Sequence, residues 1–154
     1  MFARDLYDFL TLLNKNNVEY LVVGGYAVGT YGYPRATGDL DVWLNPVKEN
    51  YPKIKNAVVA FGFPASGFLT EKEFLSQTMF RMGNPPLRIE ILTDISGVTF
   101  SEAYKNKVER TIEGLTICYI GYDDLIKNKI ASGRPKDILD VKYFEKINKN
   151  KNKK

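Results

Sequence analysis

The chain has 154 residues, 44% hydrophobic and 26% charged, the make-up of one soluble globular domain with room for a core and little for a separate substrate domain. It contains no histidine and a single cysteine, Cys118, which removes His-based triads, most zinc sites and any intrachain disulfide. The net charge of +4 is carried by the chain's end: five lysines lie from Lys146 to Lys154, and without them the balance is −1, so no basic domain face for nucleic acid is evident.

No apolar run approaches the roughly 20 residues that span a bilayer, and Met1-Phe2-Ala3-Arg4-Asp5 has no signal-peptide pattern. A reducing cytoplasm is the expected location, with no membrane association. Cys118 lies in the apolar run Leu115 to Ile120 and reads as a buried small hydrophobe rather than a nucleophile.

In chain order, Phe2, Leu6, Phe9, Leu10, Leu12 and Leu13 recur at helical spacing and predict a helix from about Ala3 to Asn14. Val18 to Val23 is apolar on both faces, as in a buried strand. Gly24-Gly25 then turns the chain into a short helix, broken at Gly32-Tyr33-Pro34. Asp39 to Leu44 alternates: Leu40, Val42 and Leu44 are expected in the core, with Asp39, Asp41 and Trp43 on the opposite face. A helix follows from about Lys48 to Phe61 and a helical turn from Glu71 to Ser76. Thr78–Met82 and Leu87–Leu92 read as a hairpin through Gly83-Asn84-Pro85-Pro86.

Phe100–Lys107 reads as a short helix and Thr116–Ile120 as a strand, and Tyr122–Ala131 and Lys136–Ile147 form a closing helix pair. The expected fold is α+β, a mixed sheet flanked by helices, as one domain over 1–147. The Lys/Asn-rich residues 148–154 read as a disordered tail. That tail is a solvated end or a weak RNA contact.

Two residues is one full pleat, so Asp39 and Asp41 share a face with Cα atoms about 6.6 Å apart. Such a pair can bracket the two Mg²⁺ ions of a phosphoryl-transfer site, about 3.5–4 Å apart. The alternative is the polar side of an edge strand. Gly24-Gly25, between a buried strand and a helix, suits backbone capture of phosphate, or else is a tight turn needing positive φ. It is neither a Walker A loop nor a Rossmann fingerprint. On Leu87–Leu92, Ile89 and Ile91 face the core while Arg88, Glu90 and Leu92 take the other face. Were this strand beside Asp39–Leu44, Glu90 would join the aspartates. Otherwise Glu90 is a surface residue, and Asp94 is the substitute.

Gly24-Gly25, the run Arg35-x-Thr37-x-Asp39-x-Asp41 and a later strand carboxylate resemble the nucleotidyltransferase superfamily with the DNA-polymerase-beta-like catalytic fold. In particular they resemble its small stand-alone bacterial members, which include antibiotic nucleotidyltransferases and toxin-type enzymes. The stretch Asp124-Leu125-Ile126 to Asp137 and Asp140 resembles the closing helix pair of those proteins. The resemblance implies transfer of a nucleoside monophosphate from an NTP to a hydroxyl or phosphate acceptor with release of pyrophosphate. It implies Gly24 and Gly25 at the triphosphate, Asp39 and Asp41 on two Mg²⁺ ions, and Glu90 as third metal ligand where the family more often has aspartate.

In that frame Arg35, Thr37 and Lys129 belong to the nucleotide site, Arg35 and Lys129 adding positive charge at the phosphates. Arg134 and Lys136 are secondary candidates, Arg134 having Asp137 or Asp140 as an alternative partner. Tyr26 and Trp43 stack on a base or pack in the core. The acceptor stays open among an antibiotic, a tRNA end and a protein hydroxyl. A cognate antitoxin or a homodimer is the expected protein partner. The alternative function is a nucleotide-binding or partner protein of the same fold without chemistry.

Overall fold

A computed structural model describes residues 3–33, 38–84 and 87–152. Helix α1 (Arg4–Lys15) buries Leu6, Phe9, Leu10 and Leu13, the apolar stripe of its sequence. It leads into β1 (Tyr20–Val23), buried at all four positions as expected of a strand inside a sheet. Helix α2 (Gly24–Thr30) starts on the next residue with no intervening loop. Then come β2 (Asp39–Leu44), a 3₁₀ turn (Lys48–Asn50) and α3 (Tyr51–Phe61). A second 3₁₀ turn (Ala65–Gly67) and α4 (Glu71–Phe74) precede the hairpin strands β3 (Met79–Met82) and β4 (Arg88–Leu92). The chain closes with α5 (Phe100–Lys105), β5 (Val108–Ile112), β6 (Leu115–Tyr119), α6 (Tyr122–Ser132) and α7 (Pro135–Asn152).

The six strands form one mixed sheet in the order β3-β4-β2-β1-β6-β5. β2 lies antiparallel to β1 and parallel to β4, β1 is parallel to β6, and β3–β4 and β5–β6 are antiparallel hairpins. Buried Asn50 secures the end of β2 to the start of β1, its side-chain amide reaching the Glu19 backbone N–H and carbonyl and the Asn45 carbonyl at 2.9–3.0 Å. The mixed sheet, its flanking helices and the C-terminal pair agree with the fold read from sequence.

Four details differ. β5 was not expected, because Val108-Glu109-Arg110-Thr111-Ile112 is polar and half-exposed. An edge strand needs no apolar alternation, since it pairs on one side only. Its hairpin turn uses positive φ at Glu113 (51°) and Gly114 (84°), the geometry that matches strand twist in a two-residue turn. Trp43, placed opposite the core by alternation, is 1% exposed and packs edge-on against Phe100 of α5, ring centres 5.1 Å apart. Cys118 is partly exposed rather than fully buried, and burial still pushes its thiol pKa upward. Finally, α7 runs to Asn152, through the segment expected to be a disordered tail from residue 148. Among the described residues no helix is long and apolar enough to cross a membrane.

Candidate active site

The carboxylates meet because of sheet register. β2 and β4 run parallel with Asp39 beside Arg88 and Asp41 beside Glu90, and β3 adds Arg81 beside Glu90. Side chains at these positions share one face. The opposite flank of Asp41 is Val23, the last residue of β1 and the N-cap of α2. The same face further along β2 is closed by Trp43 under Phe100, so only its Asp39–Asp41 end lies open.

Gly24 sits at φ +66°, and a Cβ there would lie 2.1 Å from Asp41 Oδ2. Only glycine lets the carboxylate lie against this turn. Asp41 Oδ1 is buried and has no hydrogen-bond partner. Burial, a hydrogen bond that the protonated Asp41 carboxyl donates to Glu90, and the charges of Glu90 and Asp39 push the Asp41 carboxyl up to about 7. An unpaired carboxylate oxygen beside a second acid is a place where a cation relieves both desolvation and repulsion.

The other two carboxylates are engaged. Arg88 grips Asp39 with two bonds, Nε to Oδ1 at 3.2 Å and Nη2 to Oδ2 at 3.0 Å, and these hold the Asp39 carboxyl below its usual pKa. Arg81 Nε donates to Glu90 Oε1 at 2.9 Å. Among the described residues no three His, Cys, Asp or Glu side chains are gathered as a ready metal cage. The arrangement is instead the pair Asp41–Glu90, with Asp39 held off by Arg88. That donor set suits Mg²⁺, which takes one or two protein carboxylates and completes its octahedron with phosphate oxygens and water.

Lys129, expected at the phosphates, lines the same hollows as Gly24 and Asp41, with its ammonium already paired. Its ammonium is buried on α6 between Asp137 Oδ1 at 3.0 Å and Asp140 Oδ2 at 2.9 Å, both from the first turns of α7. A buried cation needs such compensation, and these two acids supply it. Asp137 also accepts from Ser132 Oγ and from Arg134 Nε. Burial raises its pKa, but the bonds from Ser132 and Lys129 prevail and hold it below the ordinary value. The cluster clamps α6 to α7 at the wall of the site. Arg35 and Thr37 lie outside the described residues.

Gly24, Gly25, the three carboxylates, Asp137 and the cations Arg81, Arg88, Lys129, Arg134 and Lys136 line one polar hollow of about 310 Å³. A second, of about 360 Å³, shares Gly24 and Asp41 and extends toward Asp94, Ser96 and Asn128. Asp94 lies exposed on that second wall, so Glu90 and not Asp94 is the acid beside Asp41. Tyr26 of α2 is half-buried, and its hydroxyl pKa is raised by burial and by the nearby Asp39 charge. It therefore borders the carboxylates, whereas Trp43 is sealed away from them. Arg81 and Arg88 were missed as site residues from sequence. Their signal was present in the shared face of Arg88 and Glu90.

The fold and the family match place the chain among small nucleotidyltransferase-family proteins. The chain belongs to the family described as "Nucleotidyltransferase of unknown function (DUF6036)", whose model matches residues 4–150. Among solved structures it is similar to a Thermotoga maritima protein provisionally assigned as a nucleotidyltransferase, with a TM-score of 0.63 and 19% identity over 98% of this chain and 92% of that one. At that identity the likeness is one of fold. No match was found among curated proteins.

Proposed function

We propose that the chain moves a nucleoside monophosphate from an NTP to an acceptor hydroxyl, with Mg²⁺ held by Asp41 and Glu90 and, when freed, Asp39. The observation that carries this reading is the buried, partnerless Asp41 Oδ1 lying against the Gly24 turn beside Glu90. When bound, the metal ions would lower the pKa of the acceptor hydroxyl and neutralise charge on the triphosphate and leaving pyrophosphate.

The chain's own residues supply the rest. The Gly24–Gly25 turn, with no side chain at Gly24, lets the phosphates approach the backbone beside Asp41. Arg81, Arg88, Arg134 and Lys136 line the same hollow and add the positive charge that a triphosphate needs. Glu90 and Asp41 are the candidates to take the acceptor proton. The hollow toward Asp94, Ser96 and Asn128 offers hydrogen-bonding groups to whichever part of nucleotide or acceptor enters it.

The test is transfer of label from each α-³²P-NTP to a screened set of acceptors: small hydroxylated antibiotics, tRNA and proteins. Mg²⁺-dependent transfer that disappears in Asp41→Asn and in Glu90→Gln is the expected result. Transfer that persists in both would refute the site. A second reading, a nucleotide-binding partner protein without chemistry, is favoured by one observation, the two-bond grip of Arg88 on Asp39. Metal-independent NTP binding in calorimetry, with no turnover on any acceptor, would select it.

A further inference from the structure

Two arginines occupy carboxylates that the proposed metal needs. Arg88 takes both oxygens of Asp39, and Arg81 takes one oxygen of Glu90. Both arise from the β3–β4 hairpin, one rung apart on the face that carries the acids. The Arg88–Asp39 pair is two-pronged, the strong and orientation-specific form of the contact. Yet its side chains remain 30% and 34% exposed, so either can leave without opening the core. Lys129 offers no such freedom, being buried at 4% between two aspartates.

The chemistry of exchange follows from what a guanidinium accepts. A divalent cation arriving alone must strip Arg88 from Asp39 and gives the guanidinium nothing in return. A cation arriving with a triphosphate brings phosphate oxygens, which receive the same two-pronged fork that Asp39 did. Three carboxylates balanced by two guanidiniums become, on such an exchange, carboxylates on metal and guanidiniums on phosphate. Both guanidiniums, and the two carboxylates they release, keep a partner.

Resting on the functional reading above, we infer that Arg88, assisted by Arg81, is a positioning residue that trades carboxylate for phosphate. In the free protein it holds Asp39 closed to a metal ion, and it grips the phosphates once a metal–triphosphate pair has taken Asp39. Metal and triphosphate then bind cooperatively, and free metal binds weakly.

The test measures Mn²⁺ alone, by electron paramagnetic resonance of the unbound ion, and then inorganic triphosphate with Mn²⁺ present, by calorimetry. Wild type, Arg88→Gln and Asp41→Asn are compared as full chains. Losing a partly exposed ion pair predicts that Arg88→Gln binds Mn²⁺ alone about five-fold tighter than wild type. The same variant binds triphosphate about five-fold or more weakly. Opposite signs in one variant are what a merely structural role does not produce. Arg88→Lys keeps the charge but not the fork, and shifts both affinities the same way by less, which covers misfolding of the glutamine variant.

Equal or weaker Mn²⁺ affinity in Arg88→Gln, with binding still lost in Asp41→Asn, overturns the exchange and leaves the metal site standing. No Mn²⁺ binding by wild type or by Arg88→Gln even with triphosphate present, or binding that Asp41→Asn leaves unchanged, overturns both the exchange and the functional reading.

Discussion

Asp41→Asn separates stability from function at this site with a definite sign. The Asp41 carboxyl moves from an ordinary 3.8 up to about 7, driven first by burial and then by Glu90 and Asp39. Below pH 3.8 folded and unfolded chains both hold the proton, and the group costs nothing. As pH rises toward about 7, the unfolded chain gives up the proton while the folded chain keeps it, so stability falls, and above that the loss is complete. A shift of about three units corresponds to about 4 kcal/mol. Rearrangement of side chains and water around the ionised group takes back part of it, leaving about 2 kcal/mol to be recovered by an uncharged isostere. Without metal, the Asp41→Asn substitution is therefore expected to stabilise the protein at about pH 8 by that ~2 kcal/mol, roughly 4–8 °C in Tm for a chain of this size. Near pH 4 the two proteins should melt together. Urea unfolding at both pH values reads the difference. Saturating Mg²⁺ should close the gap by stabilising the wild type alone, about 2.7 kcal/mol at a hundredfold excess over Kd. A variant less stable than wild type at pH 8, or an offset identical at both pH values, would refute the reasoning.

Gly24→Ala places a Cβ 2.1 Å from Asp41 Oδ2 at φ +66°, and is expected to cost about 2–3 kcal/mol in urea unfolding and to weaken NTP binding. Lys129→Met leaves Asp137 and Asp140 buried without their cation. Unfolding should show a loss of about 3–5 kcal/mol, partly restored by adding Asp137→Asn and Asp140→Asn. Trp43 is the single tryptophan and is 1% exposed, so its emission should be blue-shifted and resist acrylamide quenching. Trp43→Phe should leave NTP affinity unchanged within about twofold, because a sealed ring has no base to stack on.

Local chemistry made much of this fold readable in advance. A fully apolar strand running into Gly24-Gly25 announces a strand–turn–helix, and the pleat alone puts Asp39 and Asp41 on one face. Periodicity says which face a residue takes but not which strand lies beside it. The parallel β2–β4 pairing that sets Glu90 against Asp41 is a tertiary outcome, written in no local pattern. The same limit hid the arginines: Arg88 was visible on the face of Glu90, but its grip on Asp39 requires the register. β5 escaped because an exposed edge tolerates Glu109, Arg110 and Thr111. Trp43 takes the face that alternation gave it and is nevertheless buried, because α5 covers that end of the sheet. Lys129 does line the hollow, but its neutralisation by two aspartates of the next helix could not be read until α6 and α7 are docked.

The three acids on the site face differ in a way that identity alone does not suggest. Three carboxylates this close repel, and burial strengthens the repulsion. Arg88 and Arg81 relieve two of them from the hairpin side, at Asp39 and Glu90. Asp41, wedged between Val23 and Glu90 and pressed against Gly24, lies where no protein cation reaches Oδ1 among the described residues. The fold thus keeps one acid in deficit at the centre and its neighbours provisionally satisfied at the rim. Under the proposed function, an incoming cation binds first at Asp41, whose Oδ1 has no protein partner, displacing any proton the carboxyl holds, and reaches Asp39 only as Arg88 departs. Glutamate at position 90 fits that division of labour. One of its oxygens meets Arg81 across the hairpin, while its charge and hydrogen bonding act on Asp41 on the other side.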